Sequence, residues 1–246
     1  MPASSSSPQL LQSPRFTEFA IALPDALRQA GTHPLIVQLT ERLQASIYEQ
    51  NEATSDIAYA KQILDTLTQT DIADASVLIV LTDEAEPKLM LTRRAGHLNA
   101  HAGEVSFAGG KHEASDGNNV VTALRETCEE TALPSSKVKL LGQLPPQTSK
   151  AGLSVRPIVA LADPDVIYVP ELGEIERIFW ADLATLIDAP TQDYKFEYTQ
   201  GEQTATLVTL SWLIDSEVVW GLTGRILADL LKVGFDREID WYLRAV

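Results

Sequence analysis

The chain has 246 residues, of which 45% are apolar, and a formal net charge of −15 at pH 7. This length and apolar content allow a sizeable buried core, either as one large domain or as a domain with an extension. The negative charge argues against a nucleic-acid scaffold, because the chain as a whole repels a phosphate polymer. The apolar runs are too short to cross a bilayer and the single cysteine excludes an internal disulfide, so we expect a cytoplasmic protein.

The N-terminal region has two predicted parts. Residues 1–14 are rich in serine and proline and are predicted to form a disordered tail. Residues 15–71 carry apolar side chains at helical spacing, which predicts two or three helices that form an N-terminal helical extension. Neither part carries a recognisable chemical motif. We therefore expect the functional domain to occupy residues 72–246.

From residue 75 onward the pattern changes to strands that interleave with helices. Two runs at residues 75–81 and 88–93, joined by a turn-like segment, predict a hairpin. A helix is predicted at residues 119–131, with Asp116 or Asn118 as its N-cap. This interleaving predicts an α/β (α+β) fold in which one mixed sheet is covered by helices on both faces. Further strands are predicted at residues 138–144, 155–162, 176–180, 194–198 and 205–213, and further helices at residues 181–187 and 222–233.

The predicted helix at residues 119–131 carries the most informative side chains of the chain. With 3.6 residues per turn, Glu126, Glu129 and Glu130 fall within roughly a 100° arc. Three converging carboxylates need a compensating charge, and a hard divalent cation such as Mg²⁺ prefers oxygen ligands. Arg125 lies one turn before Glu129 and can hold one carboxylate in place. The pattern is therefore typical of a metal site.

The surroundings of this helix help to decide between a metal site and a solvated acidic face. A short acidic run taken alone fits an exposed helix face equally well. Here Gly109 and Gly110 precede the helix, an apolar face accompanies the carboxylates, and Leu133 follows as an aliphatic stop. Cys128 lies among the glutamates, but a hard cation prefers oxygen, so we do not expect it to act as a ligand or nucleophile. The context favours the metal site.

Positive charge clusters just before the glycine pair. Residues 88–112 hold four Lys or Arg residues and three of the chain's four histidines against a single acid, Glu104. Each of these side chains taken alone is typical of a surface group, but their clustering indicates capture of an anionic substrate. Arg93 and Arg94 alternate across a strand, so only one of them is expected to face that substrate.

Two segments together resemble the Nudix hydrolase family. The carboxylate helix and its preceding glycines are similar to the family's signature, in which a glycine and an acid precede Arg-Glu-aliphatic-any-Glu-Glu. Residues 91–110, with the sequence LTRRAGHLNAHAGEVSFAGG, resemble the second signature of the coenzyme A diphosphatase branch. The resemblance covers about residues 72–233. It implies that residues 72–246 form a Nudix hydrolase domain, with a Nudix-type mixed β-sheet sandwiched between helices.

The chain departs from these signatures at several positions. Asp116 stands where Glu is usual, and Ala108 replaces the proline of the glycine loop. Asn99 stands where the branch has Arg, which removes one cation expected near the substrate. Ala132 replaces the glycine that usually ends the helix, which costs free energy if this position requires a left-handed backbone. None of these changes removes an expected metal ligand.

The resemblance implies a hydrolase that cleaves the diphosphate bond of coenzyme A or acyl-coenzyme A. The products would be 4′-phosphopantetheine, or its acyl form, and adenosine 3′,5′-bisphosphate. Mg²⁺ or Mn²⁺ is implied as the cofactor. The substrate is then a small molecule, no nucleic-acid or membrane partner is expected, and a homodimer is left open. Two alternatives remain: a Nudix pyrophosphatase for ADP-ribose or NADH, and a non-catalytic nucleotide-sensing Nudix module, which would generally have lost helix carboxylates.

The resemblance also assigns roles to individual residues. The histidines are as well explained by structural hydrogen bonds as by contact with a 3′-phosphate. The general base is expected to be Glu126, with Glu174 on a nearby loop as the second choice, and Arg125 supports the catalytic carboxylates. The metal ligands are Glu126, Glu129, Glu130 and the carbonyl of Gly110, and the substrate-binding residues are Arg94, more weakly Arg93, His97, His101 and Gly109.

Overall fold

The computed structural model describes residues 31–45, 56–163, 165–200 and 203–246. The predicted tail at residues 1–14 lies outside these ranges, as does part of the predicted helical extension. No helix within the four ranges is long and apolar enough to cross a membrane. The elements in chain order are α1 Pro34–Leu43, α2 Asp56–Thr68, β1 Ala75–Leu81, β2 Lys88–Arg94, β3 Val105–Ser106, β4 Ala108–Lys111, α3 Asn119–Thr131, a 3₁₀ turn Ser135–Lys137, β5 Val138–Gln143, β6 Gln147–Thr148, β7 Ser154–Ala162, β8 Ile175–Asp182, α4 Leu183–Asp188, β9 Gln192–Gln200, β10 Gln203–Ile214, β11 Glu217–Trp220, α5 Gly221–Phe235 and β12 Leu243–Ala245.

The larger sheet is mixed and has eight strands. Its central strand β1 is parallel to β7 on one side, while on the other side it pairs antiparallel with β4 along its first half and with β2 at its end. Successive side chains of β1 point to opposite faces. Leu78 and Val80 pack in one core with α2 and α3, and Ile79 and Leu81 pack in a second core with α1 and α5. This arrangement confirms the predicted mixed sheet between helices.

A second, four-stranded sheet corrects the expectation of a single sheet. Strands β9 and β10 form a long antiparallel hairpin, and β11 and β12 pair with the other edge of β10. Trp212 of β10 and Val219 of β11 are fully buried in the same core as α5. Periodicity located these strands but does not encode which strand pairs with which. Because Trp212 and Val219 share a core with Ile79 and Leu81 of β1, the second sheet packs on one face of the larger sheet instead of extending it.

Helix α1 packs against the Nudix-like part of the chain. Its buried residues Ile36 and Leu39 join the core that contains α5. The Gln38 amide donates a hydrogen bond of 2.9 Å to the carbonyl of Gly234, and the Gln44 amide donates one of 2.6 Å to the carbonyl of Leu141. This part of the predicted extension thus shares a core with the sheet, and the predicted boundary at residue 71 stays a prediction.

Candidate active site

The two ends of helix α3 fix the position of its carboxylates. At the N-terminus, Asn118 is the cap, because its side-chain oxygen accepts a hydrogen bond of 3.0 Å from the Val121 N–H. The alternative prediction, that Asp116 caps the helix, is wrong. At the C-terminus, Ala132 has the left-handed φ of 58° that a terminating glycine usually adopts. Helix α3 begins and ends at the predicted residues.

Asp116 forms a buried ion pair with Arg125. The Arg125 Nε donates to Asp116 Oδ1 at 2.9 Å and its Nη2 to Oδ2 at 3.0 Å. Burial alone would raise the pKa of Asp116. Hydrogen bonds from Arg125, the Glu113 backbone N–H and the Thr122 hydroxyl outweigh burial, so the pKa lies below its ordinary range. This carboxylate is therefore stable in its charged form.

The same guanidinium also contacts the glutamates of α3. Arg125 Nη1 lies 3.0 Å from Glu126 Oε1 and 3.0 Å from Glu129 Oε2. Its Nη2 donates a hydrogen bond of 3.0 Å to the carbonyl of Lys111, at the end of β4. Arg125 thus connects β4, the loop before α3 and two of the predicted metal ligands, and it positions both carboxylates.

Glu130 lies deepest among the predicted ligands, since its side chain is 5% exposed. Its Oε2 accepts a hydrogen bond of 3.0 Å from the Gly109 N–H, and its Oε1 lies 3.7 Å from Arg94 Nη1. Burial raises the pKa of Glu130 to about 7, and the neighbouring carboxylates of Glu174 and Glu126 act in the same direction. The Gly109 N–H and Arg94 therefore do not fully compensate the charged form of Glu130.

The glycine pair allows β4 to pass close to the carboxylates. A Cβ atom at Gly110 would lie 2.5 Å from the carboxylate carbon of Glu126, so any other residue there would displace this carboxylate. Gly109 has a φ of 150°, and a Cβ atom on it would lie 2.3 Å from the Ser76 carbonyl oxygen. Burial also raises the pKa of Glu126, although Arg125 opposes this shift.

Five glutamates line a small pocket of about 70 Å³ beside the helix: Glu126, Glu129, Glu130, Glu171 and Glu174. A larger cavity of about 180 Å³ lies beside α5, but none of these carboxylates lines it. We therefore place the site by its chemistry and not by cavity size.

The loop between β7 and β8 supplies Glu171 and Glu174. It is held against the site because the Glu171 N–H donates a hydrogen bond of 2.9 Å to the carbonyl of Glu130, and the Glu174 carbonyl accepts one of 2.8 Å from the Ala95 N–H. The prediction missed Glu171. The only available signal was the run of acids at residues 171, 174 and 176.

The lining of this pocket fits a divalent cation. All five side chains offer oxygen atoms, which hard cations prefer. Burial raises the pKa values of Glu126 and Glu130 and the nearby arginines do not offset it, so a cation in the pocket would stabilise their charged forms. Within the described ranges, no group of three or more acidic, histidine or cysteine side chains is arranged to hold a metal ion. The pocket therefore supplies suitable donor atoms, while their arrangement around an ion stays a prediction.

The predicted substrate residues separate into two groups. Arg94 lies beside Glu130, whereas the neighbouring Arg93 points to the second sheet, with Nη1 3.2 Å from Glu217 Oε1. His97 and His101 are exposed in the loop between β2 and β3, and His101 Nδ1 lies 2.8 Å from Glu104 Oε2. The structure thus brings Arg94 to the carboxylates. The substrate roles of all four residues stay predictions.

Comparison with known proteins matches residues 73–200 to the NUDIX domain. The chain belongs to the Nudix family. It is 39% identical to the "Uncharacterized Nudix hydrolase NudL" of Yersinia enterocolitica over 64% of this chain and 80% of that protein. It is 37% identical to the protein of the same name from Escherichia coli K12, over 65% of this chain and 82% of the relative.

Comparison with solved structures shows lower similarity. An Ap4A hydrolase of C. elegans is 17% identical with a TM-score of 0.40, covering 46% of this chain and 83% of that one. The NUDIX domain of Shewanella oneidensis NrtR, complexed with ADP ribose, is 17% identical with a TM-score of 0.38, covering 59% and 87%. Family membership and the NudL relatives make this protein a hydrolase of pyrophosphate bonds in nucleoside diphosphate-linked substrates. Nudix hydrolases generally use divalent metals.

Proposed function

We propose that this Nudix hydrolase cleaves coenzyme A or acyl-coenzyme A to 4′-phosphopantetheine, or its acyl form, and adenosine 3′,5′-bisphosphate, with Mg²⁺ or Mn²⁺ and in the cytoplasm. One observation carries the proposal. Two residues of the segment 91–110, which resembles the coenzyme A branch, contact Glu130. Arg94 lies 3.7 Å from its carboxylate, and the Gly109 N–H donates a hydrogen bond to it. The residues that indicate the substrate class thus adjoin the carboxylates of the pyrophosphatase site.

Divalent ions held by Glu126, Glu129, Glu130 and the Gly110 carbonyl would neutralise the diphosphate oxygens and lower the pKa of a bound water. The chain's own residues prepare this site. Arg125 fixes the carboxylates of Glu126 and Glu129, and the Gly109 N–H fixes Glu130. The planar Arg94 guanidinium at the pocket suits pairing with a substrate phosphate oxygen.

We assign the role of general base, which takes the proton of the attacking water, to Glu126, with Glu174 as the second candidate. Both line the pocket, and Glu126 is one of the carboxylates whose pKa is raised, chiefly by burial. Replacement of the true general base by glutamine is expected to lower kcat by about 10²–10⁴-fold. Comparison of Glu126→Gln with Glu174→Gln assigns the role. Wild-type kcat in Glu126→Gln would reject the first choice.

The substrate is tested by initial rates on coenzyme A, ADP-ribose and NADH at equal concentration, with Mg²⁺ and separately with Mn²⁺. Coenzyme A is expected to be cleaved fastest, and chromatography should identify adenosine 3′,5′-bisphosphate among the products. A rate on ADP-ribose ten times that on coenzyme A would reject the proposal. The carboxylate pocket fits either diphosphate, so this comparison of rates separates the two substrate classes.

A further inference from the structure

The loop between β7 and β8 carries a concentration of exposed aliphatic side chains. Ile167 is 83% exposed, Val169 56% and Leu172 69%. They are three of the eight large apolar side chains that are exposed in the described ranges, yet they lie within one stretch of six residues. Single exposed apolar residues are ordinary, whereas a contiguous group beside a site indicates a binding surface. We call Ile167, Val169 and Leu172 the apolar strip.

The rest of this loop holds the strip in place. Val166 and Tyr168 alternate with the exposed side chains and pack against the core that contains α2 and α3. The Tyr168 ring also contacts the Trp180 ring edge-on, with 5.2 Å between the ring centroids. Successive side chains of an extended segment point to opposite sides, so Ile167 and Val169 face solvent because their neighbours face the core. The strip is therefore presented on an anchored backbone.

The strip adjoins the carboxylate pocket. The Val169 N–H donates a hydrogen bond of 3.0 Å to the carbonyl of Thr131, and the Glu171 N–H donates one of 2.9 Å to the carbonyl of Glu130. The Glu171 side chain itself lines the pocket. Two residues of extended chain span at most about 7 Å, so Val169 lies beside the pocket and Ile167 at most about 14 Å from Glu171.

Charge distinguishes the two ends of the loop. At its C-terminal end the Glu174 carbonyl accepts a hydrogen bond from the Ala95 N–H, next to Arg94, the cation that lies at the pocket. The strip lies towards the other end, and the charged residues of the loop are all acids. An anionic nucleotide is therefore attracted towards Arg94 and repelled from the strip, whereas an uncharged alkyl chain suits the strip.

We propose that the apolar strip binds the acyl chain of acyl-coenzyme A while the diphosphate lies in the carboxylate pocket. This substrate has an anionic nucleotide on one side of its diphosphate and an uncharged arm that ends in the alkyl chain on the other. Contact with the chain removes the exposed aliphatic side chains from water, which favours the acylated form over the free thiol. The inference rests on the proposed function, because it names which form of coenzyme A the same site takes.

The test compares kcat/KM for octanoyl-coenzyme A with kcat/KM for free coenzyme A, with Mg²⁺, in the wild type and in a variant that carries both Ile167→Ser and Val169→Ser. The wild type is expected to prefer the octanoyl form. Burial of one aliphatic side chain against a ligand corresponds to about tenfold in affinity, so the double variant should lose about tenfold of this preference. The loss should arise from a higher KM for octanoyl-coenzyme A.

Two control variants separate apolar contact from a general disturbance. Val169→Leu keeps an apolar side chain at the same position and should keep the preference for the octanoyl form. Leu213→Ser removes a side chain that is 59% exposed on β10, outside this loop. It should leave the ratio of the two kcat/KM values at that of the wild type.

The outcomes distinguish the strip from the proposed function. A wild type without preference for the octanoyl form, or a double variant that keeps the preference, would overturn the strip and leave coenzyme A as the substrate. Cleavage of ADP-ribose without cleavage of either form of coenzyme A would reject the proposed function and the strip with it. If the double variant keeps the preference but dissociates an oligomer in sedimentation, the strip contacts a second copy of the chain and not the substrate.

Discussion

Two buried carboxylates at opposite ends of the α3 region show how one fold treats the same chemical group in two ways. The Asp116 side chain is 0% exposed and the Glu130 side chain 5% exposed, so water reaches neither. Asp116 nevertheless has a lowered pKa, while burial raises that of Glu130 to about 7. Both side chains are shielded from water, but Glu130 is the more deeply surrounded by protein, so burial and the hydrogen-bond partners both contribute to the difference in pKa.

Asp116 accepts two hydrogen bonds from Arg125 as well as bonds from a hydroxyl and a backbone N–H. Glu130 has one backbone N–H and an arginine at 3.7 Å, and it faces other carboxylates. A charge with a full set of partners stabilises the fold, whereas an incompletely paired charge costs stability until a cation arrives. We infer that Asp116 serves the structure and Glu130 the chemistry.

The largest expected effect is on turnover, and it should distinguish the chemical role of Glu130 from the structural role of Asp116. Glu130→Gln keeps an acceptor for the Gly109 N–H but removes a charge from the metal pocket, so kcat with Mg²⁺ is expected to fall on the order of 10³-fold, about 4 kcal/mol of transition-state stabilisation. The free energy of unfolding of the metal-free protein should stay equal or rise, because a poorly compensated buried charge is lost. Glu86→Gln, at an exposed residue, is the control for kcat. Wild-type turnover in Glu130→Gln would reject the metal role.

The reciprocal change should act on stability. Asp116→Ala leaves the Arg125 guanidinium, which is 8% exposed, without its strongest partner. Breaking a buried pair in this way costs about 3–5 kcal/mol. Urea unfolding measures the loss, and Lys137→Ala, which breaks the exposed pair with Asp163, serves as the control with little change. If Asp116→Ala keeps wild-type stability, the contrast between the two carboxylates fails.

The pH dependence of stability should also differ. The pKa of Glu130 is raised from 4.5 to about 7 in the folded protein, so the unfolded chain releases this proton first as pH rises. Stability of the metal-free protein should therefore fall between pH 4.5 and pH 7 by about 3 kcal/mol from this group. Asp116 has a lowered pKa, so its contribution is present above pH 3.8 and is lost in acid.

Urea unfolding in EDTA at pH 4.5 and pH 8 measures this contribution. The difference in stability between Glu130→Gln and the wild type should grow in favour of the variant at the higher pH. Excess Mg²⁺ should reduce this difference at pH 8, because a ligand at 100 times its Kd stabilises the wild type by about 2.7 kcal/mol. A difference that does not change with pH would contradict the assignment of the charge to Glu130.

The sequence was sufficient to predict that the glutamates of α3 lie together and to locate most elements. Strand β1 and helix α3 have the predicted ends, because a continuous apolar run, the 3.6-residue period and the Asn118 cap are local signals. Local signals do not reveal tertiary partners. The second sheet was therefore missed, and Glu171 was missed because a loop residue without a motif reaches the pocket only through the fold.

The same limit applies to the burial of the glutamates. Glu129 and Glu130 are neighbours in one motif, yet their side chains are 59% and 5% exposed. The difference arises because Glu130 faces Gly109 on β4, while Glu129 lies at the outer edge beside Arg125. Helical periodicity gives the angle between the two side chains but not the element that packs on each.

The smallest expected effect concerns the end of the same helix. Ala132 has a φ of 58°, where an alanine is strained by about 1–2 kcal/mol and glycine is not. Glycine also loses more chain entropy on folding, so Ala132→Gly is expected to raise the free energy of unfolding by about 0.5–1 kcal/mol. Ala132→Val should lower it, because a β-branched side chain is disfavoured in this conformation. Thermal unfolding of both variants is the measurement. A stabilised valine variant would show that this turn, two residues after Glu130, leaves the left-handed region in solution.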